Sequence, residues 1–252
     1  MTYNILKGAK ETLQLVVQVI KSESPDFLTL NEANGFADQK NKILKQFSKE
    51  TRFPYFEIAL SEEKADSNVA VFSKQPFIEV KKIQPQERPF LICLIDSPFG
   101  PISVAGVHLS YKTEDLRLAE LEKLLYIQKS FLNSIIMGDI NSLSSQDNYS
   151  LGFVKTFNEK QKNKFTKDGK LRLEAVDKIL SAGYFDPAVT FGKNDELTVP
   201  TPANEDEAHS EMRLDYIFLS EALNLHLKKY EVIKNDLTDR ASDHYPVIVE
   251  IK

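Results

Sequence analysis

Short apolar runs alternate with amphipathic helical stretches, strand–helix–strand–helix and then a series of strands, and the pattern occurs twice along the chain. Such strands and one-sided helices bury their apolar faces together only when sheets lie inside and helices outside. The pattern therefore predicts one layered α/β domain over residues 1–252. Residues 3–6 read as a short strand. Residues 12–21 read as a helix with Leu13, Val16, Val17 and Ile20 on one face, closed by Ser24-Pro25. Phe27-Leu28-Thr29-Leu30 is the next strand, and Phe36, Ile43, Leu44 and Phe47 mark a second helix. Strands follow at 55–60, 69–72, 77–83 and 90–95, and the turn Pro98-Phe99-Gly100 returns the chain as a strand over 102–108. Residues 114–131 carry the clearest helical signal, with Leu118, Leu121, Leu124, Leu125 and Gln128 in register, ahead of the apolar run Ile135-Ile136-Met137. A helix over 173–180 and strands over 214–219, 225–233 and 247–251 complete the pattern. Two polar segments, 142–170 and 195–212, read as surface excursions.

Composition narrows the function classes. The chain is 42% hydrophobic and 27% charged, which suits a soluble globular fold. Its 32 basic against 37 acidic side chains give a net charge of -5. A basic nucleic-acid coat is thereby excluded, although a local groove or a bound cation could still receive phosphates. The single Cys93 excludes an intrachain disulfide framework and a cysteine-rich zinc site. No Trp is present, so stacking platforms fall to 9 Tyr and 16 Phe. No run approaches the roughly 18 apolar residues of a membrane span, and Met1 opens no leader-like pattern. A cytoplasmic monomer is the expectation, with a removed leader left open.

The placement of the acids is the informative chemical feature. Glu32 follows the 27–30 strand, His108 ends the 102–108 strand, and Asp139 and Asn141 follow Ile135-Ile136-Met137, all at C-terminal strand ends. Asp215 and the dipeptide Asp243-His244 instead open the strands that follow them. If the last two strands run antiparallel to the first three, all these side chains reach one rim. Carboxylate and amide oxygens without thiolates suit a hard cation, Mg²⁺ or Mn²⁺, rather than zinc or copper. With histidines beside them they form a parts list for phosphoester hydrolysis: a group on water, a cation on the nonbridging oxygens and a donor for the leaving oxygen.

At these residues the chain resembles the endonuclease/exonuclease/phosphatase family, which includes pancreatic-type deoxyribonuclease, abasic-site endonucleases, neutral sphingomyelinases, inositol polyphosphate 5-phosphatases and deadenylases. The resemblance runs nearly end to end, through Thr2-Tyr3-Asn4-Ile5, Pro25-Asp26-Phe27-Leu28-Thr29-Leu30-Asn31-Glu32, Ser67-Asn68-Val69-Ala70-Val71-Phe72-Ser73-Lys74, Val107-His108-Leu109, Met137-Gly138-Asp139-Ile140-Asn141, Arg213-Leu214-Asp215-Tyr216-Ile217 and Ser242-Asp243-His244-Tyr245-Pro246-Val247. It implies a four-layer α/β sandwich, two central mixed, mostly antiparallel sheets flanked by helices, with the active site across their shared edge. It further implies Glu32 as principal metal ligand, Asn4 on or beside the ion, and Asp243 approaching it or a second cation. Asp139 would orient or activate water, Asn141 would donate to the phosphate, and Asp215 would pair with His244. His108 would face the phosphate and serve the leaving group, and Asn68 and Arg213 would bind substrate. The implied activity is that of a metal-dependent phosphodiesterase or nuclease.

Several positions depart from the family pattern. Ile5, Leu6 and Lys7 follow Asn4 where many members place an acid, so a second metal is less well supplied. Asn31 stands where some members have Gln, and Ser73-Lys74 where Ser-Arg is usual. Glu87 is a loose candidate partner for His108. The missing Trp disfavours an abasic-site pocket. Two other functions stay open: a phosphatase or phospholipase-like esterase on inositol, sugar or lipid phosphates, and a binding module that lost catalysis. Taken singly, Glu32 reads as a surface acid, His108 as a sheet-edge histidine, Gly138-Asp139-Ile140-Asn141 as a turn, His209 as solvated, His226 as structural and Cys93 as core filler. The lysines at 160, 162, 164, 167 and 170 read as a solvated loop, or more sharply as a phosphate-backbone contact.

Overall fold

A computed structural model describes residues 1–62, 67–85, 88–150, 152–203 and 210–252. The first part of the chain forms β1 (Thr2–Asn4), α1 (Leu13–Glu23), β2 (Phe27–Asn31), α2 (Asp38–Thr51), β3 (Tyr55–Ala59), β4 (Val69–Ser73), β5 (Phe77–Ile83), β6 (Phe90–Ile95), β7 (Ile102–His108), α3 (Glu114–Gln128) and β8 (Ser134–Asp139). The remainder forms α4 (Glu159–Phe165), β9 (Thr166–Lys167), β10 (Lys170–Leu171), α5 (Glu174–Ser181), β11 (Tyr184–Phe185), α6 (Pro187–Thr190), β12 (Asp215–Ser220), α7 (Glu221–Asn224), β13 (Leu227–Val232), α8 (Thr238–Ala241) and β14 (Val247–Ile251). Two six-stranded mixed sheets result, ordered β13-β14-β1-β2-β4-β3 and β11-β12-β8-β7-β6-β5. This is the layered α/β sandwich that the strand–helix alternation predicts.

Period-two alternation distributes the apolar residues among the layers. Leu91 and Cys93 point into the core between the sheets, with Val69, Val71, Val104, Met137 and Ile217. Phe90 and Ile92 point the other way, onto Leu121 and Leu124 of α3 and Val176 and Ile179 of α5. The outer face of the first sheet, through Tyr3, Leu28, Leu30 and Phe72, packs on Val16, Val17 and Ile20 of α1 and Leu44 and Phe47 of α2. Each such side chain, fully buried, contributes about 1.5–3 kcal/mol relative to exposure. The sheets approach closely at Thr29 and Gly106, where a Cβ on the glycine would lie 3.0 Å from the threonine side chain.

Three expectations need correction. The 142–170 segment is folded rather than a solvated excursion. Leu143, Phe157 and Phe165 form a small core with Val199, Met212 and Leu214, and Asp168-Gly169 turns the β9–β10 hairpin at positive φ. The buried face of α3 carries Glu114, Arg117, Glu120 and Gln128 alongside Leu121 and Leu124, whereas Leu118 and Leu125 are half-buried. The strand expected from residue 225 starts at Leu227, because a turn after α7 takes up residues 225–226; His226 sits in that turn with its ring 4.5 Å from that of Phe99. Among the described residues no helix is long and apolar enough to cross a membrane.

Candidate active site

Strand direction assembles the rim. β1 and β2 run parallel and end on Asn4 and Asn31, and β7 and β8 run parallel with His108 opposite Asp139. β12 is antiparallel to β8 and brings Asp215 opposite Asp139. β14 is antiparallel to β1, so the preceding Asp243-His244 arrives at the same edge. Two backbone features fix the details. Gly138 has φ +147, and a Cβ there would fall 1.8 Å from the Val107 carbonyl oxygen, so only glycine lets β8 lie this close to β7 just before Asp139. Glu32 and Asn141 hold φ of 58° and 56°, a left-handed conformation uncommon in non-glycine residues.

Hydrogen bonds tie the two sheets together at this point. Asn31 donates from Nδ2 to the Val107 carbonyl at 2.7 Å, and its Oδ1 accepts from the Asp139 backbone N–H at 2.9 Å. Asn4 Nδ2 donates to Asp139 Oδ2 at 3.1 Å and lies 3.5 Å from Glu32 Oε1. Glu32 Oε2 accepts from the Lys7 N–H at 2.8 Å. Asp139 Oδ1 accepts from the Asn141 N–H at 2.8 Å. On the far side of Asp139, His244 Nδ1 meets Asp215 Oδ2 at 2.8 Å, and Thr201 N–H donates to the Asp243 carbonyl at 3.2 Å. Asn4, Glu32, His108, Asp139, Asn141, Asp215, Asp243 and His244 thus share one rim.

Burial sets the electrostatics. It pushes the Glu32 carboxyl up against the Lys7 N–H, and Asp243 and Asp139 push the same way. Burial also acts to raise Asp139, but the hydrogen bond from His108 and the charges of His244 and Lys164 hold it well below the carboxylate range. His108 is driven down to about 4 by burial and by Arg88. Arg88 Nη1 lies 2.8 Å from His108 Nδ1 and 3.2 Å from Nε2; a guanidinium can only donate, and the shorter contact assigns the acceptor role to Nδ1 and the ring proton to Nε2, 3.4 Å from Asp139 Oδ2. Burial lowers His244, yet Asp215, Asp243 and Asp139 together raise it to about 10. Burial raises Asp215 despite His244. The rim therefore holds an ionised Asp139 between a neutral His108 and an imidazolium at His244.

Of the two expected substrate contacts, Arg213 is committed to buried ion pairs, whereas Asn68 stands one residue before β4, whose Val69 pairs with Asn31 at the rim. Arg213 is fully buried, paired with Asp147 and with Asp186, its guanidinium 4.4 Å from the centre of the Tyr216 ring. Asn68 is buried; its carbonyl accepts from Ala33 N–H at 3.1 Å and its Oδ1 from Ser61 N–H at 2.9 Å, so it holds the turn that follows Glu32. Lys74 stands at the end of β4 opposite the rim, on Ser24 and Asp26, so its departure from the family pattern does not touch the site. Glu87 and His209 lie outside the described residues.

Other site residues escape a reading based on motifs. Arg88 reaches His108 from the residue pair before β6. Lys164 reaches Asn141 Oδ1 from α4 at 2.5 Å. Arg117, Glu114 and Glu120 brace the loops behind the rim: Glu120 accepts from Ser110 N–H at 2.8 Å, and Arg117 donates to the Ser110 carbonyl at 2.9 Å. The spacing of Phe153, Phe157 and Phe165 signals a folded excursion; for Arg88 no such signal exists.

The donor set fits a hard divalent cation. Four carboxylates, Glu32, Asp139, Asp215 and Asp243, converge without thiolates. Asp215 is fully buried, with the Thr198 hydroxyl beside its carboxylate. Ligand atoms of Asp139, Asp215 and His244 lie within 4.8 Å of one another. Burial first, and then the neighbouring Asp243 and Asp139, disfavour the charged form of Glu32, and a bound cation would offset both.

The endonuclease/exonuclease/phosphatase family model matches residues 1–244, and the chain belongs to that family. Members of this family are hydrolases of phosphoester bonds and are generally dependent on divalent metals. No curated protein sequence is found to match. Among solved structures, the chain is similar to the 3' phosphatase NExo from Neisseria bound to product DNA hairpin, at 18% identity and a TM-score of 0.73 over 100% of this chain and 98% of the other. It is similar to an AP endonuclease from Archaeoglobus fulgidus, at 19% identity and 0.72 over 99% and 97%. An endonuclease/exonuclease/phosphatase family protein from Leptotrichia buccalis C-1013-b gives 21% identity and 0.69 over 100% and 98%. At these identities the likeness is one of fold.

Proposed function

We propose that this chain is a divalent-metal-dependent phosphodiesterase that hydrolyses P–O bonds, with nucleic acid as the leading substrate class. The supporting observation is the single carboxylate, Asp139, on which Asn4 of one sheet and His108 of the other converge, with the Asp215–His244 pair beside it. Glu32, with Asn4 and Asp243, would hold the cation, Mg²⁺ or Mn²⁺, which when bound supplies positive charge for the nonbridging phosphate oxygens. Asp139, ionised, accepts a hydrogen bond from the attacking water and orients its oxygen toward phosphorus. His244, protonated and steadied by Asp215, donates to a phosphate oxygen, where charge builds in the transition state. The water oxygen bonds to phosphorus, the P–O bond to the leaving oxygen breaks, and one proton passes from water to the leaving oxygen. His108, neutral and facing Asp139, orients that carboxylate rather than protonating the leaving group. A binding module has no use for a buried acid–imidazole pair placed beside an ionised carboxylate, which favours the enzyme.

A substrate panel tests the proposal: bis(p-nitrophenyl) phosphate, p-nitrophenyl phosphate, and single- and double-stranded DNA and RNA, each with Mg²⁺ or Mn²⁺ and with chelator. The expected result is diester turnover that chelator abolishes and added metal restores, with nucleic-acid cleavage that falls steeply with salt. Turnover confined to the monoester would move the substrate to the phosphatase class. No turnover of any ester would leave the binding module.

A further inference from the structure

Helix α4 carries one of its lysines into the rim. Lys164, half-buried, donates from Nζ to Asn141 Oδ1 at 2.5 Å, while Asn141 Nδ2 donates to the Leu109 carbonyl at 3.0 Å and its N–H to Asp139 Oδ1 at 2.8 Å. Both ends of the Asn141 amide are thus engaged, and the cation beside Asp139 on this side is the Lys164 ammonium. Its charge helps to hold the Asp139 carboxyl down, and Asp139 and Asp215 act on it in return. Burial nonetheless lowers its pKa to about 7.

The backbone of Lys164 is clamped in place. Arg117, with no exposed surface, donates to the Lys164 carbonyl at 2.7 Å and to the Ser110 carbonyl at 2.9 Å. Its partner Glu114 accepts from the hydroxyl of Ser142, the residue after Asn141, at 2.9 Å. A buried ion pair therefore locks the end of α4 to the loops that follow His108 and Asn141. Such a brace fixes where the ammonium stands relative to Asp139.

We propose that Lys164 is a phosphate-binding residue of the rim: its ammonium rests on Asn141 in the free protein and receives a nonbridging oxygen of the substrate phosphate. This rests on the phosphoesterase reading above. It accounts for how a chain of net charge -5 presents a cation to phosphate where Arg213 is consumed in buried pairs and Lys74 lies at the opposite edge.

The test compares Lys164→Met and Lys164→Arg with the parent, in the presence of Mg²⁺ or Mn²⁺. It uses bis(p-nitrophenyl) phosphate turnover and, independently of activity, the binding of inorganic phosphate measured by titration calorimetry. Lys164→Met is expected to weaken phosphate binding by roughly 10-fold and to lower kcat/KM by roughly 10²-fold at an unchanged melting temperature. Lys164→Arg, which keeps the charge, is expected to recover much of both. Phosphate binding and kcat/KM of Lys164→Met equal to the parent's would overturn the proposal. So would a loss that Lys164→Arg fails to relieve, or one that comes with a lowered melting temperature, since either marks a brace for Asn141. A parent that binds phosphate through Lys164 but hydrolyses no ester would retain this site and remove the phosphoesterase reading instead.

Discussion

Asp139→Asn is expected to lower phosphodiester turnover by roughly 10³-fold while the protein stays folded. The carboxylate is the acceptor for three donors at once: Asn4 Nδ2 and His108 Nε2 at Oδ2, and the Asn141 N–H at Oδ1. An amide of the same shape keeps one acceptor and turns the other position into a donor, so one of these bonds must break. The charge that orients water is lost outright. Folding suffers less, because the variant removes one buried negative charge that adds to the effect of burial on Glu32. We expect a stability loss of about 1–3 kcal/mol from the unsatisfied donor, partly offset by that relief. Kinetics on bis(p-nitrophenyl) phosphate together with thermal unfolding check both halves. Turnover within tenfold of the parent would remove Asp139 from the chemistry.

Arg117→Met should produce the largest loss of stability, about 3–5 kcal/mol, although Arg117 meets the rim only through the Lys164 backbone carbonyl. Arg117 is entirely buried and bonds Glu114, the Ser110 carbonyl and the Lys164 carbonyl. Truncation strands two carbonyls and leaves the buried Glu114 carboxylate without its guanidinium, supported by the Ser142 hydroxyl and the Ala175 N–H. The double variant Arg117→Met/Glu114→Gln should recover part of the loss, since it removes the uncompensated charge. Urea unfolding of the parent, both single variants and the double variant measures the coupling. Strictly additive effects would show that the pair does not act as a unit.

The layered fold and most of the rim can be read from the sequence because they follow from local rules. Period-two apolar runs give the strands to within two residues, apart from the two-residue β9, β10 and β11, which they miss, and a polar residue at a strand end falls at a sheet edge whatever the details of packing. Antiparallel placement of the 214–219 and 247–251 strands then brings Asp215 and His244 to Asp139. What escapes are charged residues whose burial depends on partners far away in the chain. Glu114, Arg117 and Glu120 have the look of a solvated helix face, yet they turn inward because Ser110, Ser142 and Lys164 need partners there. Lys164 is indistinguishable in sequence from its neighbours Lys160 and Lys162, and only the position of α4 separates it. Arg213 errs the other way: it stands two residues before Asp215, but its side chain is consumed by Asp147 and Asp186.

Crystals of the protein grown with Mn²⁺ offer the most direct measurement, through anomalous scattering from the ion. We predict a peak at the rim within bonding reach of Glu32, and its loss in Glu32→Gln with the fold unchanged. A rim without a peak, or an ion bound equally well by Glu32→Gln, would contradict the claim that these oxygens gather to hold a cation.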